Sequence, residues 1–252
     1  MVFPPGKGKS GEYLMTLWRS YLEQFAECEG DVPAQVVVAS YHAAELFGFL
    51  SLSLDRDRRL RGLIDSRLEH FREGRRKAKG FDNCLVNATF SIYNHMNTLC
   101  RQFSSGNESA EGLIRNVDEH VHDRVRDAQQ IERSAAALRA AFPLLSLITL
   151  VLGEGTPATA AIRQVEERFA AASGHASTPM DHLLNALYRL VEMMQIFVTL
   201  SDVELRGQVQ QIATVFRDED QTPDLQLKLR NGFCRLFELG HLLTTHLDAV
   251  IA

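Results

Sequence analysis

Apolar residues recur every three or four positions along almost the whole chain, and no stretch keeps up the alternation of a half-buried strand. The pattern predicts an all-α fold, a multi-helix bundle of about eight or nine helices. A first helix is expected from about Gly11 to Glu29, with Leu14, Trp18, Tyr21, Phe25 and Cys28 along one stripe and Gly30 ending it. Pro33 opens a second, reaching about Leu54, apolar nearly all the way round and so expected to lie between other elements. Leu60, Ile64, Leu68 and Phe71 form a narrow stripe on a third. Asn83 to Cys100 lacks Lys, Arg, Asp and Glu but repeats asparagine at 83, 87, 94 and 97, which predicts a central helix whose amides must find partners.

In the second half, Ser104 to Asn107 is expected as a turn, followed by one long helix carrying Ile114, Val117, Val121, Ala128, Ile131, Ala135 and Leu138 toward Phe142. Pro143 should bend or restart it, because a proline inside a helix removes a backbone donor. Thr156-Pro157, Thr178-Pro179 and Thr222-Pro223 each set a capping hydroxyl before a proline and predict three helix starts. Ser201 and Glu204 have capping-box spacing and predict another helix from about Asp202 to Phe216. Residues 1–10 read as a flexible tail and 11–252 as one helical domain, with a candidate division near 104–108.

Charge is segregated along this frame. Asp55 to Lys79 holds ten basic and five acidic residues, whereas the whole chain of 252 residues carries a net charge of −5. An acidic remainder argues against a general nucleic-acid coat. Asp55 and Asp57 can pair with Arg59 and Arg61, and Glu73 with Lys77, so the unneutralised excess is expected at Arg75, Arg76, Lys77 and Lys79, in a glycine-bounded loop from Gly74 to Gly80. That loop would take an anion or, less favoured, a nucleic acid, since it has no aromatic residue for base stacking.

The run from Ala140 to Leu152 reads as too short to cross a hydrocarbon core of roughly 30 Å. The segment from Ala34 to Leu54 is long enough, but Glu45 in lipid would cost about 2 to 3 kcal/mol, so no membrane span is expected. Cys28, Cys84, Cys100 and Cys234 are scattered and fit reduced thiols of a cytoplasmic protein.

Two E-x-x-H motifs, Glu119 with His122 and Glu238 with His241, together with Glu45 and Glu192, match the ligand inventory of a helical di-metal carboxylate protein. Helix phase argues against it: Glu119 lies roughly 200° from the core residue Val121. The polar face of the last helix, through Lys228, Asn231, Arg235 and Glu238, puts the second motif in water as well. No metal or other cofactor is expected. His42 and Glu45 sit three apart within the apolar second helix and read as a buried polar pair. No activated nucleophile or phosphate-binding glycine loop accompanies them, so the sequence leans away from an enzyme.

Phe142-Pro143-Leu144-Leu145-Ser146, Gly155-Thr156, and Pro179-Met180-Asp181-His182-Leu183 opening an apolar helix resemble the redox-enzyme maturation chaperones of the TorD and DmsD type. The resemblance covers about a quarter of the chain and departs at Leu144 and Leu145, where that family has an aromatic residue and a glutamate. It implies an all-α cytoplasmic chaperone that recognises a twin-arginine leader through Pro179, Asp181 and His182. The expectation is therefore a helical binding protein, an adaptor, chaperone or regulatory module, that takes a protein or peptide partner; the pattern is also compatible with an oligomer.

Overall fold

The computed structural model describes residues 8–55, 58–127, 130–220 and 224–251. These form eleven α-helices and one short 3-10 turn, with no strand among the described residues. The helices are α1 (Gly8–Glu27), α2 (Val32–Leu54), α3 (Arg61–Lys77), α4 (Phe81–Phe103), α5 (Glu108–Asp127) and α6 (Gln130–Arg139). After them come α7 (Ala141–Leu152), α8 (Pro157–His175), α9 (Pro179–Ser201), α10 (Arg206–Glu219) and α11 (Leu225–Ile251), with the 3-10 turn at Val203–Leu205. The all-α expectation holds, with more elements than the eight or nine expected. One extra division is slight, since Ala140 alone separates α6 from α7.

The core is a ring. α2 packs on α4, α4 on α6, α6 on α9, α9 on α11, and α11 closes back onto α2. The remaining helices cover it from outside: α1 over α2 and α11, α3 over α2 and α4, α5 and α7 over α4, α8 and α10 over α9. α2 is apolar nearly all round, as its place in the ring requires, whereas α9 keeps a polar stripe through Asn185, Arg189, Glu192 and Gln195. Aromatic side chains lock the seams, with Tyr21 stacked on Phe233 at 3.7 Å, Tyr188 on Phe216 at 4.0 Å and Phe142 on Phe169 at 3.8 Å. Buried residues from both sides of the 104–107 turn belong to the same core cluster.

Several boundaries follow from the capping chemistry. Thr156 and Thr178 accept from the third amides of α8 and α9, with Pro157 and Pro179 at the first helical positions. Pro143 is the third residue of α7, within the turn whose amides have no intrahelical acceptor, so the helix tolerates it. Residues Thr222 and Pro223 lie outside the described residues; Asp224 accepts from the Leu227 amide at 3.1 Å at the start of α11.

Other boundaries differ from expectation. α1 already begins at Gly8, which takes Gly8 to Ser10 out of the expected tail. Ser201 is still within α9; Asp202 makes the turn instead, accepting from the Glu204 amide at 3.0 Å. The long helix expected through Ile131 is two: α5 and α7 pack on each other, so the chain folds back between them. Ala128 of the expected stripe lies outside the described residues. Arg235, expected on a solvated face, is 7% exposed and pairs with Glu219 through two nitrogens at 3.0 and 3.1 Å, tying α11 to α10.

Val32–Leu54, Ile131–Leu152 and Pro179–Ser201 are long and apolar enough to cross a membrane by length and composition. The apolar run ending at Leu152 thus extends back to Ile131, 22 residues rather than the shorter stretch expected. The bundle buries 78% of the most apolar window in α2 and in α9, and 44% in the α6–α7 stretch.

The α2–α3–α4 corner is the tightest. A Cβ on Gly48 would lie 2.3 Å from Leu68 Cδ2 and 3.0 Å from His95 Nε2, so glycine lets α3 and α4 close on α2. Gly48→Ala should lower stability in urea unfolding by about 1 to 3 kcal/mol through overpacking. Gly112→Ala on α5, where nothing lies within 4 Å, should instead add about 0.5 to 1 kcal/mol. His95 is fully buried with both ring nitrogens unpartnered, and burial, then the nearby Arg67 charge, lowers its pKa to about 3 from 6.5. Between those values the unfolded chain binds the extra proton, so the stability contribution is complete above pH 6.5 and declines as pH falls toward 3. The decline should approach about 1.4 kcal/mol per pH unit. Urea unfolding from pH 7.5 down to 4.5 should give a flatter profile for His95→Asn than for the parent.

Candidate functional site

α8 and α10 both pack on α9 but not substantially on each other. Between them a groove of about 310 Å³ is left open over α9. Its walls follow helical periodicity: Ala158, Ala161 and Val165 from α8 face Val209 and Ala213 from α10, and Gln195, Ile196, Thr199 and Leu200 of α9 form the floor. The α8 wall from Pro157 to Arg168 is about 16 Å long at the helical rise. Small alanines keep both walls low. Val203, at 62% exposure, continues the apolar surface at one end. At the floor the Gln195 Nε2 is buried without a hydrogen-bond acceptor.

The cations along the groove are Arg168, Arg206 and Arg217, and its lone carboxylate is Glu192. Glu192 is buried and doubly paired: Arg168 reaches Oε1 at 3.0 Å and Oε2 at 3.4 Å, and Arg189 reaches Oε2 at 3.0 Å. Arg189 also binds Asp220, which Lys228 reaches at 3.2 Å. This chain of charges joins α8, α9, the end of α10 and α11. Burial works against the charge of Arg189, yet Glu192 and Asp220 more than offset it and raise its pKa. With Glu192 neutralised, Arg206 and Arg217 leave the groove net positive.

The residues singled out from sequence are not brought together. Pro179, Asp181 and His182 form the first turn of α9, away from the groove floor. Asp181 completes a capping box: its carboxylate accepts from the Thr178 amide at 2.9 Å and from the Ser177 amide and hydroxyl at 3.2 and 3.1 Å. Those bonds, Thr178 first, hold its carboxyl below the usual range. His182 is half-buried, and its Nδ1 has no partner.

The basic segment is mostly not a loop. Gly74 to Lys77 are the last turn of α3, because Gly74 is where the Asn87 side chain crosses from α4; an added Cβ there would meet Asn87 Oδ1 at 2.2 Å. Arg75 lies over the Tyr41 ring at 4.8 Å and donates to Gln24 at 3.4 Å, and Lys77 pairs with Glu73 at 3.8 Å. Arg76 and Lys79 have no ion pair among the described residues. Asp57 lies outside them; Asp55 receives the Leu60 amide, and Arg61 pairs with Asp65.

His42 and Glu45 are both buried but have separate partners. His42 Nδ1 donates to the Val38 carbonyl at 2.8 Å, leaving Nε2 3.4 Å from Ser20 Oγ, and burial lowers its pKa. Glu45 accepts from Tyr13 at 2.8 Å and from Arg72 through Nε at 3.0 Å and a terminal nitrogen at 2.7 Å. Hydrogen bonding to Glu45 raises the Arg72 pKa, while burial and then Glu45 raise that of Tyr13.

Among the described residues, no cluster gathers Glu45, Glu119, Glu192, Glu238 and His241. Glu119 is exposed, as its phase required, and the His122 side chain lies outside those described. Among the described residues one group has the reach to hold a metal: Asp202, Glu204 and His246, with ligand atoms within 4.8 Å of one another. Asp202 and His246 already pair at 2.8 Å, which fastens α11 to the α9–α10 turn.

Sequence reasoning missed the groove, because its lining residues belong to the same amphipathic patterns as the core and differ in having no helix opposite them. It missed Arg189 as well, whose position in an apolar stretch of α9 was the available signal. No family model, no curated protein and no solved structure matches the chain.

Removing the central member of the ion chain should expose its cost. Arg189→Ala leaves Glu192 with one partner and Asp220 with one, and should lower stability by about 3 to 5 kcal/mol in urea unfolding. An exposed-pair control, Arg61→Ala, should change it by about 1 kcal/mol or less.

Proposed function

We propose that the chain is a non-enzymatic binding protein, an adaptor, chaperone or regulatory module, whose α8–α9–α10 groove receives a helical segment of a protein partner. The separation of α8 and α10 on α9 carries this reading: it leaves a trough of helical length, apolar along its walls, where one more helix would complete the packing. Arg206 and Arg217 on its edge favour a segment with an acidic flank beside its apolar face. Gln195 supplies an unengaged donor at the floor. A cytoplasmic location belongs to the same reading, in keeping with free thiols at all four cysteines, as does burial of α2 and α9 in the bundle rather than in lipid.

The chaperone resemblance makes a competing choice of ligand, a basic twin-arginine leader. Both are tested by fluorescence anisotropy with three labelled peptides: an amphipathic helix with an acidic polar face, the same helix with a basic face, and a twin-arginine leader. The acidic helix should bind, more weakly as salt rises. Ala161→Arg, which fills the trough, and Arg206→Glu, which reverses its edge, should each weaken binding at least about tenfold. Equal binding of the basic helix, or indifference to Ala161→Arg, would refute the groove assignment; preference for the leader would favour the chaperone reading.

A further inference from the structure

A second cavity, of about 490 Å³, opens where the ends of α2 and α4 meet the turn before α3 and the first turns of α5. Guanidinium groups line it from three elements: Arg59 from the turn, Arg101 from α4 and Arg115 from α5. Two carboxylates are present, each already engaged by the backbone. Asp55 accepts the Leu60 amide at 3.1 Å, and Glu111 accepts the Gly106 amide at 3.2 Å. Arg101 is anchored by Asp118 at 3.1 Å through a terminal nitrogen, which leaves its Nε buried and unpartnered. Gln102 donates to the Leu54 carbonyl and likewise keeps a buried, unpartnered Oε1. Arg59 donates to Ser105 Oγ at 2.5 Å, and Arg115 has no ion pair among the described residues. Phe103 adds an apolar wall, fixed by its stack on Phe197 at 5.1 Å.

We infer that this cavity binds a phosphoryl-bearing small molecule, its oxygens received by Arg59, Arg101 and Arg115. The planar donor forks of several arginines arriving from different directions suit a multiply charged tetrahedral anion better than a single carboxylate. This cavity is separate from the anion site expected at Arg75, Arg76, Lys77 and Lys79 and lies at the other end of the basic segment. There the tertiary fold adds guanidinium groups from α4 and α5 to one from that segment.

Isothermal titration of the full chain at constant ionic strength, with sodium phosphate and with ATP as probes, tests this independently of the groove. Saturable binding is expected, weakened at least tenfold by Arg59→Ala and by Arg115→Ala and progressively by added sodium chloride. Arg115→Lys should retain part of the affinity, and Arg206→Ala, on the groove, should leave it unchanged. Similar affinity for the two probes identifies inorganic phosphate as the chemistry recognised; tighter binding of ATP identifies a phosphate ester whose organic part rests on Phe103. Both arginines are exposed, so the variants should keep the parent's melting temperature. Absence of saturable binding to both probes, or parental affinity in both alanine variants, overturns the inference.

Discussion

Charged side chains inside helices that are otherwise almost wholly apolar have to be paired within the fold, and the arrangement of outer helices around α2 and α9 depends on that requirement. An isolated ion in a low-dielectric interior is unstable by several kcal/mol or more, roughly the whole net stability of a domain. Glu45 on α2 is met by Arg72 from α3 and Tyr13 from α1; Glu192 and Arg189 on α9 are met by Arg168 from α8, Asp220 at the end of α10 and, beyond it, Lys228 from α11. The ion pairs tie two of the outer helices to the ring at fixed points, α3 through Arg72 to Glu45 and α8 through Arg168 to Glu192.

The same pairing explains how a groove can stay open beside a dense core. Glu192 and Gln195 lie at its base, and Arg168, clamped to Glu192, fixes α8 on α9. Arg235 and Glu219 hold α10 against α11 on the other side. The trough is therefore framed by outer helices fastened through buried charge, and alanines keep its walls low.

The helix class, most boundaries and the core stripes were legible because they arise from local chemistry. A threonine before proline caps the helix that follows whatever surrounds it, and Thr156 and Thr178 do so. Residues Ile114, Val117 and Val121 face inward and Glu119 outward, as the helical period requires. The failures share a cause of the opposite kind. Arg235 looked solvated because charged residues usually are, and it is buried because α10 brings Glu219 over it. His42 and Glu45 looked like partners because they are three apart, yet Tyr13 and Arg72 compete successfully for the carboxylate. The basic residues after Gly74 looked like a loop because glycines bracket them, whereas Gly74 is small so that Asn87 can cross.

By itself the sequence determined an all-α chain, the caps that start α8 and α9, the inward stripes, and the segregation of positive charge between residues 55 and 79. These are set by interactions between residues about four positions apart, within one helical turn. The tertiary structure decided which charges are neutralised, where α8 and α10 stand apart over α9, and that Arg59, Arg101 and Arg115 line one cavity. Those outcomes depend on contacts between residues tens of positions apart in the chain, whose meeting no local period encodes.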